Sequence, residues 1–379
     1  MATAIICEFN PFHNGHKYLV QTAKKLTGEN VIAIMSGAYT QRGEIAIADK
    51  YSRAKTALEN GVDLVLELPT VYAVSNAQRF ATCGVEIARS FSCVNSLSFG
   101  CENDNKELLL TASNALENDE VKAVIKAEME KGSYFPRAAE TAVRQVFSDG
   151  VADVYKKPNN ILAMEYIKAL NGSHIEPLPI KRIAVEHDSK DINNKFASAS
   201  KIREMLRDNQ KIDNLVPKAP DKITYPKKLE TAILYKLRSM SVDDFALLPD
   251  VGEGLENRIY TAVNSYNSVE EIIDGIKTKR YTHSRIRRII TSAFLGITEE
   301  LQNTPVEYVR VLGFTKNGAD LLKTCKINIV TSANDGIKLG GNTEKLLKKD
   351  IYATDVSALA YDPTMKKGMD YITPIIKIL

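Results

Sequence analysis

The chain has 379 residues, 44% hydrophobic and 26% charged, with a formal net charge of +3. That length predicts two domains with ample apolar core, and so small a net charge names no class of partner. The five cysteines (Cys7, Cys83, Cys93, Cys101 and Cys325) are odd in number and lack C-x-x-C spacing, which argues for reduced thiols and against a disulfide framework or a structural zinc site. No stretch approaches the roughly 20 apolar residues of a membrane span, and the N-terminus enters an apolar strand with no basic leader. A cytoplasmic location without membrane contact is the expectation.

Apolar, β-branched runs at 3–8, 30–37, 62–69 and 94–100 alternate with helical patterns at 16–26, 49–60 and 75–90. Asp49 is placed to N-cap the second helix, and Gly61 follows its end as a C′ residue should. Short unbroken apolar strands separated by helices predict a parallel sheet covered on both faces. So few units do not close an α/β barrel, which makes the expected fold class α/β, with a doubly wound, Rossmann-like sheet. Helical patterns follow at 104–131, 135–148 and 159–171, then a strand at 178–186 and a helix at 198–206, completing a domain of residues 1–215. Prolines and lysines concentrate in 216–228, as in an interdomain connection. Residues 216–379 are expected to be a mainly helical C-terminal domain, with helices at 228–240, 254–266, 269–276 and 284–295 and a strand at 326–332.

The stretch "CEFNPFHNGH" carries two of the five histidines, His13 and His16, at the first strand-to-helix turn. Asn10-Pro11 sets an extended turn, and Gly15 lets a ligand approach the backbone. Helix-start amides attract anions, and imidazoles beside them suit a phosphoryl group whose charge grows during nucleotidyl transfer. A metal pair is disfavoured because no further ligands are evident, so no metal site is expected. Late in the predicted domain, "FASASKIREML" offers Ser198, Ser200 and Arg203 at a helix start, where hydroxyls and a guanidinium form a phosphate clamp. Read alone, either serine would be an ordinary N-cap; paired with the histidine motif, the phosphate reading is preferred.

The arrangement strand, Asn-Pro-Phe-His-x-Gly-His, helix resembles the His-x-Gly-His superfamily of nucleotidyltransferases. Within it, "MSGAYTQRGEIAIADKYSRAKTALENGVDLVLELP", "LSFGCE", "PNNILAMEYIKAL" and "IKRIAVEHDS" look like the bacterial tRNA(Met) cytidine acetate ligase family. The likeness continues more loosely through "KRYTHSRIRRII" and "RVLGFTKNGADLLK". It implies an enzyme that activates acetate with ATP, carried with Mg2+, as acetyl-adenylate. The acetyl group would pass to the exocyclic amine of the wobble cytidine of elongator tRNA(Met), giving N4-acetylcytidine, with no obligate protein partner. By position, catalysis would fall to His13 and His16. The nucleotide would be held by Cys7, Glu8, Phe9, Asn10, Pro11 and Phe12, then His13, Asn14, Gly15, His16, Lys17, Tyr18, Leu19 and Val20, and by Gly100, Asn159, Arg182, Ser198, Ser200 and Arg203. Asn159 or its neighbour Asn160 would read the base or ribose, although an N-cap is an equal role for it.

The segment "KTKRYTHSRIRR" gathers Lys277, Lys279, Arg280, Arg285, Arg287 and Arg288 without an acid, with Tyr281 among them. Ile286, Ile289, Ile290 and Phe294 give the following helix an apolar stripe, so the arginines are expected on the other surface to grip tRNA. The alternatives are an adenylyltransferase for a small phosphorylated metabolite and a nucleotide-binding RNA module without catalysis.

Overall fold

The computed structural model describes residues 1–133, 135–183, 195–278 and 280–379. Strands β1 (Ala2–Cys7), β2 (Asn30–Ser36), β3 (Leu64–Leu68), β4 (Val94–Cys101) and β5 (Glu176–Lys181) pair in parallel in the order β5-β4-β1-β2-β3. Their unbroken apolar sequences follow from burial on both faces. Ala4, Ile6, Ile32, Ile34, Leu64 and Leu66 enter one core, and the alternate residues Ile5, Cys7, Ala33, Met35 and Val65 enter the other. The expected strand at 178–186 begins at Glu176 and ends at Lys181, and residues 184–186 lie outside the described residues. After β3 the chain crosses to the far side of β1, so strand order reverses between β1 and β4. A doubly wound sheet opens its ligand crevice at such a point, outside the carboxyl ends of the strands.

Helix boundaries follow local capping. Asp49 accepts the Ser52 N–H at 2.8 Å and starts the helix Lys50–Glu59, as its sequence predicts. The single helical pattern at 104–131 is divided into Lys106–Ala115 and Asp119–Glu130, because the Asn118 side chain accepts the Glu120 and Val121 amides and begins a new helix.

The expected division at 215/216 does not separate sheet from helices. From Pro226 to Gln302 the chain is helical, and its core of Leu237, Phe245, Ile259, Ile272, Ile286 and Ile289 is distinct from those of the sheet. The chain then rejoins the sheet. Strand β6 (Tyr308–Thr315) pairs antiparallel with β3, and β7 (Asn328–Val330) and β8 (Ile376–Ile378) run parallel to β6. The connection at 216–228 is tethered, with Thr224 bonded through its amide to Ile47 O and through its hydroxyl to Ala46 O. Among the described residues no helix is long and apolar enough to cross a membrane.

Arg310 interrupts the apolar run of β6 and is nevertheless buried. Its Nη2 donates to Asp370 at 2.8 Å and its Nε lies 3.4 Å from Glu67. Lys50, also buried, reaches Glu67 and Asp370, each at 2.7 Å. Two cations and two anions thus neutralise one another between β3, β6, the helix Lys50–Glu59 and the short helix Met369–Ile372. Breaking a buried pair from one side leaves an uncompensated charge, so Arg310→Met is expected to lower the unfolding free energy by about 3–5 kcal/mol. Urea denaturation measures it. Asp370→Asn in the same chain should recover part of the loss.

Candidate active site

Beyond β1 the backbone turns through Phe9, which has a positive φ of 47° and is held by burial of its ring beside Phe12. Asn10 fixes the turn from the other side, its Oδ1 accepting the Ile47 amide at 2.7 Å. His13 then adopts extended geometry and caps the helix Asn14–Thr27. Its Nδ1 accepts the Gly15 N–H at 3.0 Å, and the Nδ1 of His16 accepts the His13 N–H at 3.3 Å. The result is a capping box made of two imidazoles, whose rings stack with centroids 3.8 Å apart. Gly15 is required there, because a Cβ would stand 2.8 Å from His13 Cε1. The expectation that an anion would meet bare helix amides is therefore modified. The Gly15 amide is already engaged, and what remains for a ligand is the imidazole edge.

The box also settles the chemistry of that edge. With each Nδ1 accepting, the neutral rings carry their protons on Nε2, an assignment made from the hydrogen-bond pattern. Burial, then the charges of Arg182 and Arg203, push His13 down to about 3. Burial, His13 and Arg182 hold His16 well below its ordinary range. Near neutral pH both side chains are uncharged donors.

A cleft of about 710 Å³ opens in front of them. Its floor is Cys7 at the end of β1, Glu8 just after it and Gly100 in β4, and Arg182, just past β5, packs across Gly100. The carbonyls at the ends of β1 and β2 are gathered by buried Arg53, which donates to Glu8 O at 2.5 Å, to Ser36 O at 3.1 Å and to Gly37 O. Asn159 lines the cleft and bonds Glu102 at 2.6 Å, whereas Asn160 is buried and accepts the Glu102 and Asn103 amides. The choice between the two asparagines falls on Asn159 for facing the cleft. Neither is the N-cap, which is Lys157. Phe80, Phe99, Leu162, Tyr166 and Ile180 add an apolar wall. Burial raises the Glu8 carboxyl above its usual range, while its Oε1 accepts the Gln41 amide at 2.8 Å.

The expected loop residues divide by side-chain direction. Cys7, Glu8, His13, Gly15, His16, Tyr18 and Leu19 line the cleft. Phe9, Phe12 and Val20 lie in the core, and Asn10, Pro11, Asn14 and Lys17 are outside the lining. Asn14 instead ties the loop to Lys195 O and Asn214 O at 2.9 and 2.8 Å. Ser198 lines the cleft and caps the helix Ala199–Arg207, so its ordinary reading and its cleft position coexist. Ser200 and Arg203 stand behind that lining, with Arg203 donating to Asn10 O at 3.1 Å and to Glu44 at 3.3 Å. Gln41, Arg42 and Glu44, which the sequence left without a role, enter the lining because the loop 37–48 folds over the cleft. A run of family-like residues was their only sequence signal.

The basic segment is placed differently from the expected open tRNA grip. Acids from other elements meet its arginines: Arg280 pairs with Glu253, Arg287 with Glu44 and Glu270, and Arg288 with Asp250 at 3.5 Å. Arg285 bonds the Asp250 carbonyl at 2.8 Å. Tyr281 is buried beneath Arg280 and Arg285 and offers no free face for a base. Lys277 is exposed, and Lys279 lies outside the described residues. Arg287 and Arg288 line the cleft with Thr282, His283 and Ser284 from the start of the helix His283–Leu295.

The HIGH Nucleotidyl Transferase family model matches residues 1–370. A tRNA(Met) cytidine acetate ligase from Thermoanaerobacter sp. (strain X514) is 38% identical over 99% of both chains. One from Clostridium tetani is also 38% identical, over 94% of this chain and 95% of its own. Among solved structures, apo TmcAL of Thermotoga maritima superposes with a TM-score of 0.90 at 28% identity, covering 100% of this chain and 99% of that one. The same protein bound with alpha-thio ATP gives 0.88 at the same identity and coverage.

Neutral buried histidines leave a mark on stability. A histidine in the unfolded chain takes up a proton below about pH 6.5, whereas folded His13 resists protonation to about 3. The stabilising contribution is therefore complete above about pH 6.5 and is lost as pH falls toward the folded value. Denaturation at stepped pH should give stability rising through this window, and His13→Gln should shallow the slope. Equal slopes would mean that the ring is protonated in the folded protein.

Proposed function

The chain belongs to the tRNA(Met) cytidine acetate ligases within the HIGH nucleotidyl transferase family, and from that membership we propose that it joins acetate to tRNA(Met) in two steps in one cleft. Acetate attacks the α-phosphorus of ATP, giving acetyl-adenylate and pyrophosphate. The exocyclic amine of the wobble cytidine of elongator tRNA(Met) then attacks the acetyl carbonyl, and AMP leaves with N4-acetylcytidine formed.

The observation that carries this reading is the stacked imidazole pair at the sheet's switch point, with each Nδ1 engaged in the capping box. Two preorganised neutral donors stabilise charge growing on phosphate oxygens without a prior proton transfer. Arg182 supplies positive charge beside them. Gly100 makes room for the Arg182 side chain that packs across it, and adenine or ribose would lie beside that pair, within reach of Asn159. The carboxylates near the cleft are engaged, Glu8 by the Gln41 amide and Glu44 by two arginines. Among the described residues no cluster of three or more metal-ligating side chains is present. These residues do not fit a resident Mg2+ site, and Mg2+ would enter on the phosphates of ATP with its own waters. The tRNA grip is proposed on the helical segment, where Lys277 is exposed and Arg280, also exposed, would exchange its partner Glu253 for a phosphate, and the cytoplasm is the proposed location.

Pyrophosphate exchange into ATP should require acetate and no RNA, and mass spectrometry should then find one acetyl group on tRNA(Met) cytidine. Exchange that proceeds equally without a carboxylic acid would sink the proposal. Losing one preorganised donor costs about 10²–10³-fold in rate, so His16→Ala should lose exchange to that extent. ATP binding should hold within a few-fold. A parallel loss of both would make His16 a ground-state ligand.

A further inference from the structure

Glu44 joins two arginines that the sequence keeps far apart. One carboxylate oxygen lies 3.3 Å from Arg203 Nη2, and the other lies 3.2 Å from Arg287 Nη1. Arg203 belongs to the helix Ala199–Arg207 and also holds the carbonyl of Asn10, three residues before His13. Arg287 belongs to the helix His283–Leu295, carried by the helical segment, and it lines the cleft together with Glu44 and both histidines. Its other nitrogen is only loosely tied, 3.5 Å from Glu270.

The backbone beneath Glu44 is fixed against that same helix. The Gly43 carbonyl accepts the Thr291 hydroxyl at 2.7 Å. Gly43 has φ +73°, and a Cβ there would meet the Arg287 carbonyl at 2.9 Å. The backbone that carries the Glu44 carboxylate is therefore held beside Arg287.

We propose that Arg287 is a polyphosphate ligand of the nucleotide cleft, supplied by the helical segment and positioned for that role by Glu44. This rests on the reading of the cleft as an ATP site. Arg287 is linked toward the histidine end through Glu44, which it shares with Arg203, the residue that bonds the Asn10 carbonyl ahead of the histidines. A guanidinium there meets the β- and γ-phosphates rather than the base, and a charge-assisted fork favours ATP over AMP. Glu44 contributes as a positioning residue, holding Arg287 at the cleft lining while its other oxygen meets Arg203 behind it.

The test is equilibrium binding of ATP and of AMP to the full chain, with tRNA binding measured in parallel. Arg287→Gln should weaken ATP by about tenfold or more, the scale of a hydrogen bond to a charged group, and change AMP by no more than about twofold. Arg287→Lys should restore part of the preference, since it keeps the charge and loses the fork. Glu44→Gln should lower the ATP-to-AMP ratio less, and should add nothing in the Arg287→Gln background, as coupled residues do. An unchanged ATP-to-AMP ratio in Arg287→Gln overturns the proposal, and doubly so if tRNA binding falls instead. Failure of the wild-type chain to bind ATP would defeat the underlying reading of the cleft, a result separate from any change in ratio.

Discussion

Four buried charges, those of Lys50, Glu67, Arg310 and Asp370, hold the far end of the chain to its beginning. None could be buried alone, because an uncompensated ion in a low-dielectric interior costs several kcal/mol or more. Together they tolerate burial only in one arrangement, with β6 lying beside β3. A purely apolar contact would allow β6 to slide along its neighbour, whereas ion pairs of fixed length specify the register. Tyr308, in the same strand, adds a hydroxyl bond of 2.8 Å to buried Asp350, whose other oxygen accepts the Thr70 amide.

Placing β6 there has a consequence for the cleft. The helical segment, Pro226 to Gln302, leaves from a connection tethered at Ala46 and Ile47 and must return to an edge of the same sheet. Held at both ends, it packs its helix His283–Leu295 onto the loop 37–48, through Gly43, Thr291 and Glu44. The nucleotide cleft thereby acquires a wall that a doubly wound domain lacks by itself. Arginines that sequence spacing presents as an open basic stripe become part of that wall or find acids on neighbouring elements.

The histidine pair illustrates a different use of burial. At the surface, imidazoles would be partly protonated near neutral pH, and two stacked cations would repel. Desolvation removes the charge, and the reciprocal capping bonds then fix which nitrogen keeps its proton. The loop thus delivers directed donors rather than a diffuse positive field. Arg53 supports the same geometry from below by satisfying carbonyls that the strand ends leave unpaired.

The sequence by itself determined what depends on neighbours along the chain. Apolar runs buried on two faces specify parallel strands, Asp49 specifies a helix start, and the spacing of His13, Gly15 and His16 specifies a compact turn into a helix. Those elements, with the resemblance their motifs carry, made the nucleotide domain and its histidine loop legible. Only the tertiary structure decided what depends on partners far along the chain. Arg310 disguised β6, because a buried arginine in a strand makes sense only once Glu67 and Asp370 are beside it. Asn160 and Asn159 look alike in sequence, and burial distinguishes them, since Asn160 is enclosed and Asn159 lines the cleft. The acids that meet Arg280, Arg287 and Arg288 come from Glu253, Glu44, Glu270 and Asp250, so no window of sequence contains both members of a pair. Periodicity and capping are local and can be read in order; electrostatic pairing acts through space, and which charges meet is known only when the chain has closed upon itself.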